Sequence, residues 1–227
     1  MEKLLDIPFS LDTDRIVKQA RVEAGSDDAA ELLSLIELAE SIGRPKAGYA
    51  VSFVTGRDGD KIAIENVWFR SPTLAHNLVS AERVFPHVAT CGREMDQASP
   101  ANGDMLKEYW WDLIKAQLLG AAGRHLSEHL HRKFRLGKTA TMLPGSGDVS
   151  VWPIQQQQDL FSLLGNVENE IGVQLTDSFL MVPNKTISGL TFPTETDFQS
   201  CEVCHRENCP SRHAPFNKEL WEGIQHD

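Results

Sequence analysis

Three of the four cysteines, Cys201, Cys204 and Cys209, crowd into one short stretch near the C-terminus. Their C-x2-C-x4-C spacing lets a single loop present three thiolates to one centre, and in a reducing compartment clustered thiols are metal ligands more often than bridges. Tetrahedral zinc and an iron–sulfur cluster both want four ligands. The remaining thiol, Cys91, falls where a β-rich run ends at Cys91-Gly92, a place from which a side chain can point into a site. A tetrad of Cys91, Cys201, Cys204 and Cys209 around one [4Fe–4S] cluster is therefore the leading expectation. Zinc is the alternative, with His205 and His213 as competing fourth ligands, and free thiols without metal are the third reading. A metal clip would also explain how a tail with poor helix and strand signals is held.

A second candidate is the loop Leu143-Pro144-Gly145-Ser146-Gly147, whose glycines let backbone approach a ligand and whose amides can bind oxygens. It matches neither the phosphate-loop nor the dinucleotide fingerprint, so a plain connection competes with a cradle. His125 and His129 stand i, i+4 with His131 beyond, a metal-compatible spacing without a third ligand, and a half-buried helix flank is the simpler reading. Tyr109, Trp110 and Trp111 read as packing rather than a cofactor box. No local Ser/His/Asp signature favours a hydrolase.

The elements that must position these groups follow from periodicity. Residues 12–21 and 27–42 read as helices, the second with Asp28 and Glu31 as an acidic N-cap pair. Residues 48–55 and 61–69 read as strands joined by a tight turn at Asp58-Gly59, and 84–90 as a third strand. The segment 103–135 carries the longest helical stripe. A Gly/Pro/Ser loop at 137–150 precedes a helix over 153–164, a strand over 185–192, an irregular tail from 199 and a short helix near 217–225. Strands and helices do not alternate strictly, so the class is α+β: a mostly antiparallel sheet with the long helix packed on it. The organisation expected is N-terminal helices and hairpin at 1–83, a core at 84–198 and a cysteine-rich tail at 199–227, within one compact domain overall.

With 227 residues, 22 basic against 32 acidic side chains and 41% apolar residues, the chain is ordinary globular material that needs no staples. Its net charge of −10 argues against binding nucleic acid. No apolar run is long enough to cross a bilayer, and the start lacks a secretory pattern, which makes the cytoplasm the expected location.

Residues 141–192 resemble a known family. Leu143-Pro144-Gly145, the helix ending at Leu160-Phe161-Ser162-Leu163-Leu164, the stretch Leu175-Thr176-Asp177-Ser178-Phe179-Leu180-Met181-Val182-Pro183 and the strand Ser188-Gly189-Leu190-Thr191-Phe192 keep the order and spacing of the reactivation domain of cobalamin-dependent methionine synthase. The likeness spans about 84–192, is faint before that and excludes the tail. It implies a stand-alone relative that helps return an oxidised corrinoid protein to its methylated form, using one electron and S-adenosylmethionine. It also implies an activation-domain-like fold and a corrinoid protein or cobalamin-dependent methyltransferase as partner. The family's R-x-x-P-G-Y loop falls on Thr141, Pro144, Gly145 and Ser146, so the Arg and Tyr that serve adenosylmethionine are missing while the Pro-Gly backbone remains. Asp6, before Pro8-Phe9, matches the family's early acidic residue. A cysteine-bound cluster would hold an electron within the domain itself. A methyltransferase component binding S-adenosylmethionine or cobalamin directly, and a zinc-stabilised module without redox role, are the competing readings.

Overall fold

The computed structural model describes residues 1–210 and 212–226, without the side chains of Gln225 and His226. In chain order the elements are β1 (Glu2–Leu4), α1 (Thr13–Ala20), α2 (Asp27–Ile42), β2 (Lys46–Tyr49), β3 (Ser52–Asp58), β4 (Lys61–Ile64) and β5 (Val67–Arg70). There follow α3 (Pro72–Asn77), β6 (Arg83–Thr90), α4 (Arg93–Ala98), α5 (Met105–Phe134) and β7 (Thr139–Met142). The chain then forms α6 (Gln157–Leu164), α7 (Val167–Ile171), β8 (Gln174–Leu175), β9 (Met181–Val182), β10 (Thr186–Pro193) and α8 (Lys218–His226).

Strand β6 is the axis of an eight-stranded sheet. β10 pairs along one edge of it, from Thr186 opposite Thr90 to Thr191 opposite Phe85, and carries β7 beyond. The other edge forks: β2 takes Val88 and its neighbours, with β1 outside it, while β3 takes Arg83 and Val84 and leads on to β4 and β5. Every one of these pairings is antiparallel, so the α+β reading with a long covering helix stands.

Alternate strand residues face opposite sides of a sheet, and the two faces bury different partners. On one side Phe85, Ala89, Ala47 and Tyr49 meet Ala122, Leu126 and Leu130 of α5. On the other, Val84, Leu190, Phe192, Ala140 and Met142 pack with Ile62, Phe69, Trp152, Val203 and Ile224. That second core draws on all three segments named above, because the tail supplies Val203 and α8 supplies Ile224. A third core, built from α1, α2, α4 and α5, holds Ile16, Leu32, Met95, Trp110 and Cys91.

Differences from the sequence reading have local causes. The N-cap of α2 is Ser26, whose hydroxyl accepts the Ala29 N–H, two residues before the expected cap Asp28. The segment 137–150 is not all loop: Thr139–Met142 forms β7, a four-residue strand whose pairing partner β10 lies some fifty residues on and is invisible to a local window. The helix expected at 153–164 opens as a 3₁₀ turn at Ile154–Gln156 before α6.

His87 sits on the α5 side of β6, 4% exposed, with Nδ1 3.1 Å from the Phe85 carbonyl. Burial presses its pKa down to about 4, so the folded ring is neutral at pH 7. Between that value and the ordinary 6.5, the unfolded chain binds the extra proton. The stabilisation from a neutral His87 is thus complete above pH 6.5 and is lost as the pH falls towards 4. Urea midpoints are expected to report a loss of roughly 2 kcal/mol between pH 7 and 5 that His87→Gln flattens.

Candidate functional site

The Pro-Gly loop hangs from β7. Thr191 lies opposite Phe85, which places Thr191 and its partner Thr141 on the α5 side of the sheet. The two hydroxyls hydrogen-bond at 2.8 Å, so Thr141 is one rung of a threonine pair. Leu143 then folds back on β10, which is possible because Gly189 has no side chain: a Cβ there would come within 2.4 Å of the Leu143 side chain and 2.7 Å of the Met142 carbonyl. Pro144 is buried, while Gly145, Ser146 and Gly147 are exposed.

The loop spends part of its hydrogen-bonding capacity on itself. The Gly145 N–H donates to the Trp152 carbonyl at 2.8 Å and the Ser146 N–H to the Leu143 carbonyl at 3.2 Å. Those two amides are therefore not the free donors that an anion cradle at Gly145 and Ser146 requires. Trp152 anchors the loop from beneath, fully buried and edge-on to Phe69. Asp148 closes it, accepting the backbone N–H of Ser150 at 3.0 Å and its hydroxyl at 2.8 Å. These bonds, with a smaller contribution from His205, hold the Asp148 carboxyl below its usual range.

The cysteines separate. Cys91 is fully buried in the core between α2, α4 and α5, its thiol directed at its neighbour's carbonyl (Sγ to Gly92 O, 3.6 Å). Burial, with the Asp96 charge adding to it, pushes that thiol up to about 12. The other three lie in the tail beside the second core, and the thiol tetrad is not brought together. Among the described residues no group of three or more His, Cys, Asp or Glu side chains is gathered as a metal site. With iodoacetamide on the native protein at pH 8, we expect Cys91 to stay unmodified while half-exposed Cys201 and Cys209 label, as peptide masses will report.

The tail is held instead by a residue that spacing arguments passed over. The Arg212 guanidinium donates to four carbonyls: Nη1 to Cys201 and Ala214, both at 2.9 Å, and Nη2 to Cys204 and Arg206, both at 2.8 Å. One planar cation satisfies a loop that would otherwise carry unpaired backbone oxygens. His205, weighed as a ligand, turns its Nδ1 to Asp148 at 3.2 Å and packs its ring on Phe216 and Trp221. His213 donates its backbone N–H to Cys201 Sγ at 3.5 Å.

The structure also brings together two features that were read separately. Cys204 Sγ lies 3.2 Å from where a Cβ on Gly147 would be, and the next residues along each segment form the Asp148–His205 pair. The cysteine tail is thus seated on the Pro-Gly loop.

The remaining candidates resolve into ordinary roles. His129 stands 3.1 Å from the Tyr49 hydroxyl, in a network with Glu2 and Lys133. His125 lines an open cleft with Pro8, Phe9, Arg124 and Glu128, and Asp6 is exposed. Trp110 and Trp111 are core residues. No helix among the described residues is long and apolar enough to cross a membrane.

The antiparallel sheet covered by one long helix is a fold shared with a solved methionine synthase reactivation domain. Comparison with solved structures finds 13 matching chains. One, a crystal structure of the MetH reactivation domain bound to AdoHcy, superposes with a TM-score of 0.55 at 18% identity, covering 84% of this chain and 72% of that one. Residues 126–210 match the family model described as vitamin B12 dependent methionine synthase, activation domain. Over that stretch the chain is similar to that activation domain. The matched stretch differs from the one expected: it begins inside α5 rather than near residue 84 and runs on through Cys209 into the tail. Comparison with curated proteins finds no match.

Proposed function

We propose that this chain serves the reductive reactivation of a corrinoid-dependent methyltransferase of the methionine synthase type, docking on the partner that carries the cobalamin. What supports this most is that the activation-domain match, residues 126–210, includes β7, the Pro-Gly loop and β10. In the reaction so served, oxidised Co(II) takes up one electron, and the resulting Co(I) accepts the methyl group of S-adenosylmethionine, forming methylcobalamin as S-adenosylhomocysteine leaves.

In this reading adenosylmethionine lies along the α5 side of β7, against Thr141 and the backbone of Pro144, Gly145 and Ser146. Without a guanidinium at 141 its carboxylate lacks a charge-assisted partner, which makes its affinity about ten- to a hundredfold weaker than a site with arginine would have. An iron–sulfur centre in the tail would have to be held by Cys201, Cys204 and Cys209, which the structure does not gather, and would supply the electron within the chain. Cys91 takes no part, since its thiol is buried in another core. Zinc on the same thiols would make the tail a structural clip.

Anaerobic purification with iron and sulfide analysis, and spectra before and after dithionite, test the electron route. Iron with matching sulfide and bleaching on reduction is the expected result. Stoichiometric zinc without a visible chromophore contradicts the redox part. Docking is tested separately, by co-purification with a cobalamin-loaded methyltransferase module, with tighter association expected for the Co(II) than for the methylated form.

A further inference from the structure

The first half of α5 carries a charge on the face it buries. Lys115, next to Ile114 and one turn before Leu118, is only 9% exposed. Its ammonium donates to Asp96 Oδ1 of α4 at 3.0 Å and to Asn184 Oδ1, just before β10, at 2.8 Å. Taking such a pair out of water costs desolvation that a packed apolar side chain would not, so stability alone is a weak reason for it. An ammonium has three donors and a carboxylate two oxygens. Among the described residues the third Lys115 donor and Asp96 Oδ2 have no partner, and Asp96 Oδ2 is not one of the sealed interior atoms left unpaired.

Both side chains line a cleft of about 500 Å³ between α4, the turn that follows it and α5. That volume suits a small molecule. Met95, Ala101 and Trp111, all nearly buried, make its apolar wall, and exposed Met105 and Tyr109 border it. The Trp111 ring is fixed by its N–H, which donates to the Met95 carbonyl at 2.9 Å. Asp112 on the same lining is already neutralised by Lys185 at 2.7 Å and accepts from Asn184 Nδ2 at 3.2 Å. Glu108, on the same face of α5, adds a negative charge at the exposed side. No residue of the Pro-Gly loop or the cysteine tail lines this cleft.

A spare cationic donor and a spare anionic acceptor thus stand side by side at the edge of an apolar wall. Their complement is a head group in which a carboxylate adjoins an ammonium. A simple anion would meet Asp96 and Glu108, and a simple amine would leave the Lys115 donor without an acceptor. We propose that the cleft between α4 and α5 binds a free α-amino acid with an apolar side chain, its carboxylate on Lys115, its ammonium on Asp96 and its side chain against Trp111. Binding is non-covalent. The site does not depend on the reactivation role, so either can fail without the other.

The test is calorimetry on the full chain with L-leucine, L-methionine and L-phenylalanine. At least one is expected to bind with a Kd of about 1 mM or tighter. For the best of the three, the amide, which lacks the carboxylate, and the des-amino acid, which lacks the ammonium, are each expected to bind at least about tenfold more weakly. Asp96→Asn keeps the side chain's shape and its acceptor for Lys115. It is expected to reduce the preference for the amino acid over its des-amino analogue from at least about tenfold to near unity, a change that a general loosening of the fold would not produce. No binding by any of the three amino acids overturns the proposal. So does an amide or des-amino acid that binds as tightly as the amino acid, or a preference that survives Asp96→Asn intact.

Discussion

Replacing Arg212 by alanine is expected to release the tail while the sheet stays folded. Four backbone carbonyls from residues 201 to 214 converge on that one guanidinium. Hydrogen bonds to a charged group are worth about 1.5–3 kcal/mol each where buried and less at a half-exposed site, so a local loss of about 3 kcal/mol is a conservative sum. Trypsin cleavage at Arg206, which requires local opening, should accelerate on the order of a hundredfold. Arg212→Lys should rescue little, because an ammonium has three donors on a flexible stem and cannot reproduce the planar fork. Unchanged cleavage in the alanine variant, or full rescue by lysine, would show that the tail is held by something else.

The second large effect is a gain. Thr141 is exposed on β7, where the resemblance implies an arginine in the family, and its hydroxyl bonds only with Thr191 among the described contacts. Thr141→Arg puts a guanidinium on the α5 side of the sheet, at an exposed position. Calorimetry with S-adenosylhomocysteine is expected to show affinity rising about ten- to a hundredfold, the equivalent of one charge-assisted carboxylate contact. Thr141→Ala, which removes the hydroxyl and adds no cation, should leave affinity within about twofold. No gain in the arginine variant would mean that the ligand does not lie along β7.

These expectations rest on a fold that was legible in part, for reasons that differ by element. α5 was read closely because thirty residues of uninterrupted helical stripe carry their own evidence. β6 and β10 were visible as apolar, β-branched runs buried on both faces. β7 was hidden, since a four-residue strand next to Pro-Gly has no local signal and forms only because β10 offers its edge. The short helices α3, α4 and α7 went unread for the same lack of periodic length.

The site divides in the same way. Residue type and spacing single out Cys201, Cys204 and Cys209, and family order singles out Thr141, Pro144, Gly145 and Ser146. What neither carries is distance. Cys91 ends a strand as expected, yet the turn after β6 folds its thiol under α2 and α5. The Gly147–Cys204 contact links residues more than fifty apart. Arg212 could have been noticed only by asking what neutralises so many carbonyls in a tail without strands, a question about backbone partners rather than motifs.

The central claim is that this chain helps return a cobalamin to its methylated form on a partner protein. It is tested most directly by mixing the purified chain, anaerobically, with a methionine synthase-type cobalamin module held as Co(II) and lacking its own reactivation domain, together with a low-potential one-electron donor and S-adenosylmethionine. The absorbance of the corrinoid is followed. Conversion to methylcobalamin, with release of S-adenosylhomocysteine, is expected to depend on this chain and to slow when the loop is damaged by Gly147→Val. A corrinoid spectrum that stays Co(II), or that converts at the same rate without the chain, would contradict it.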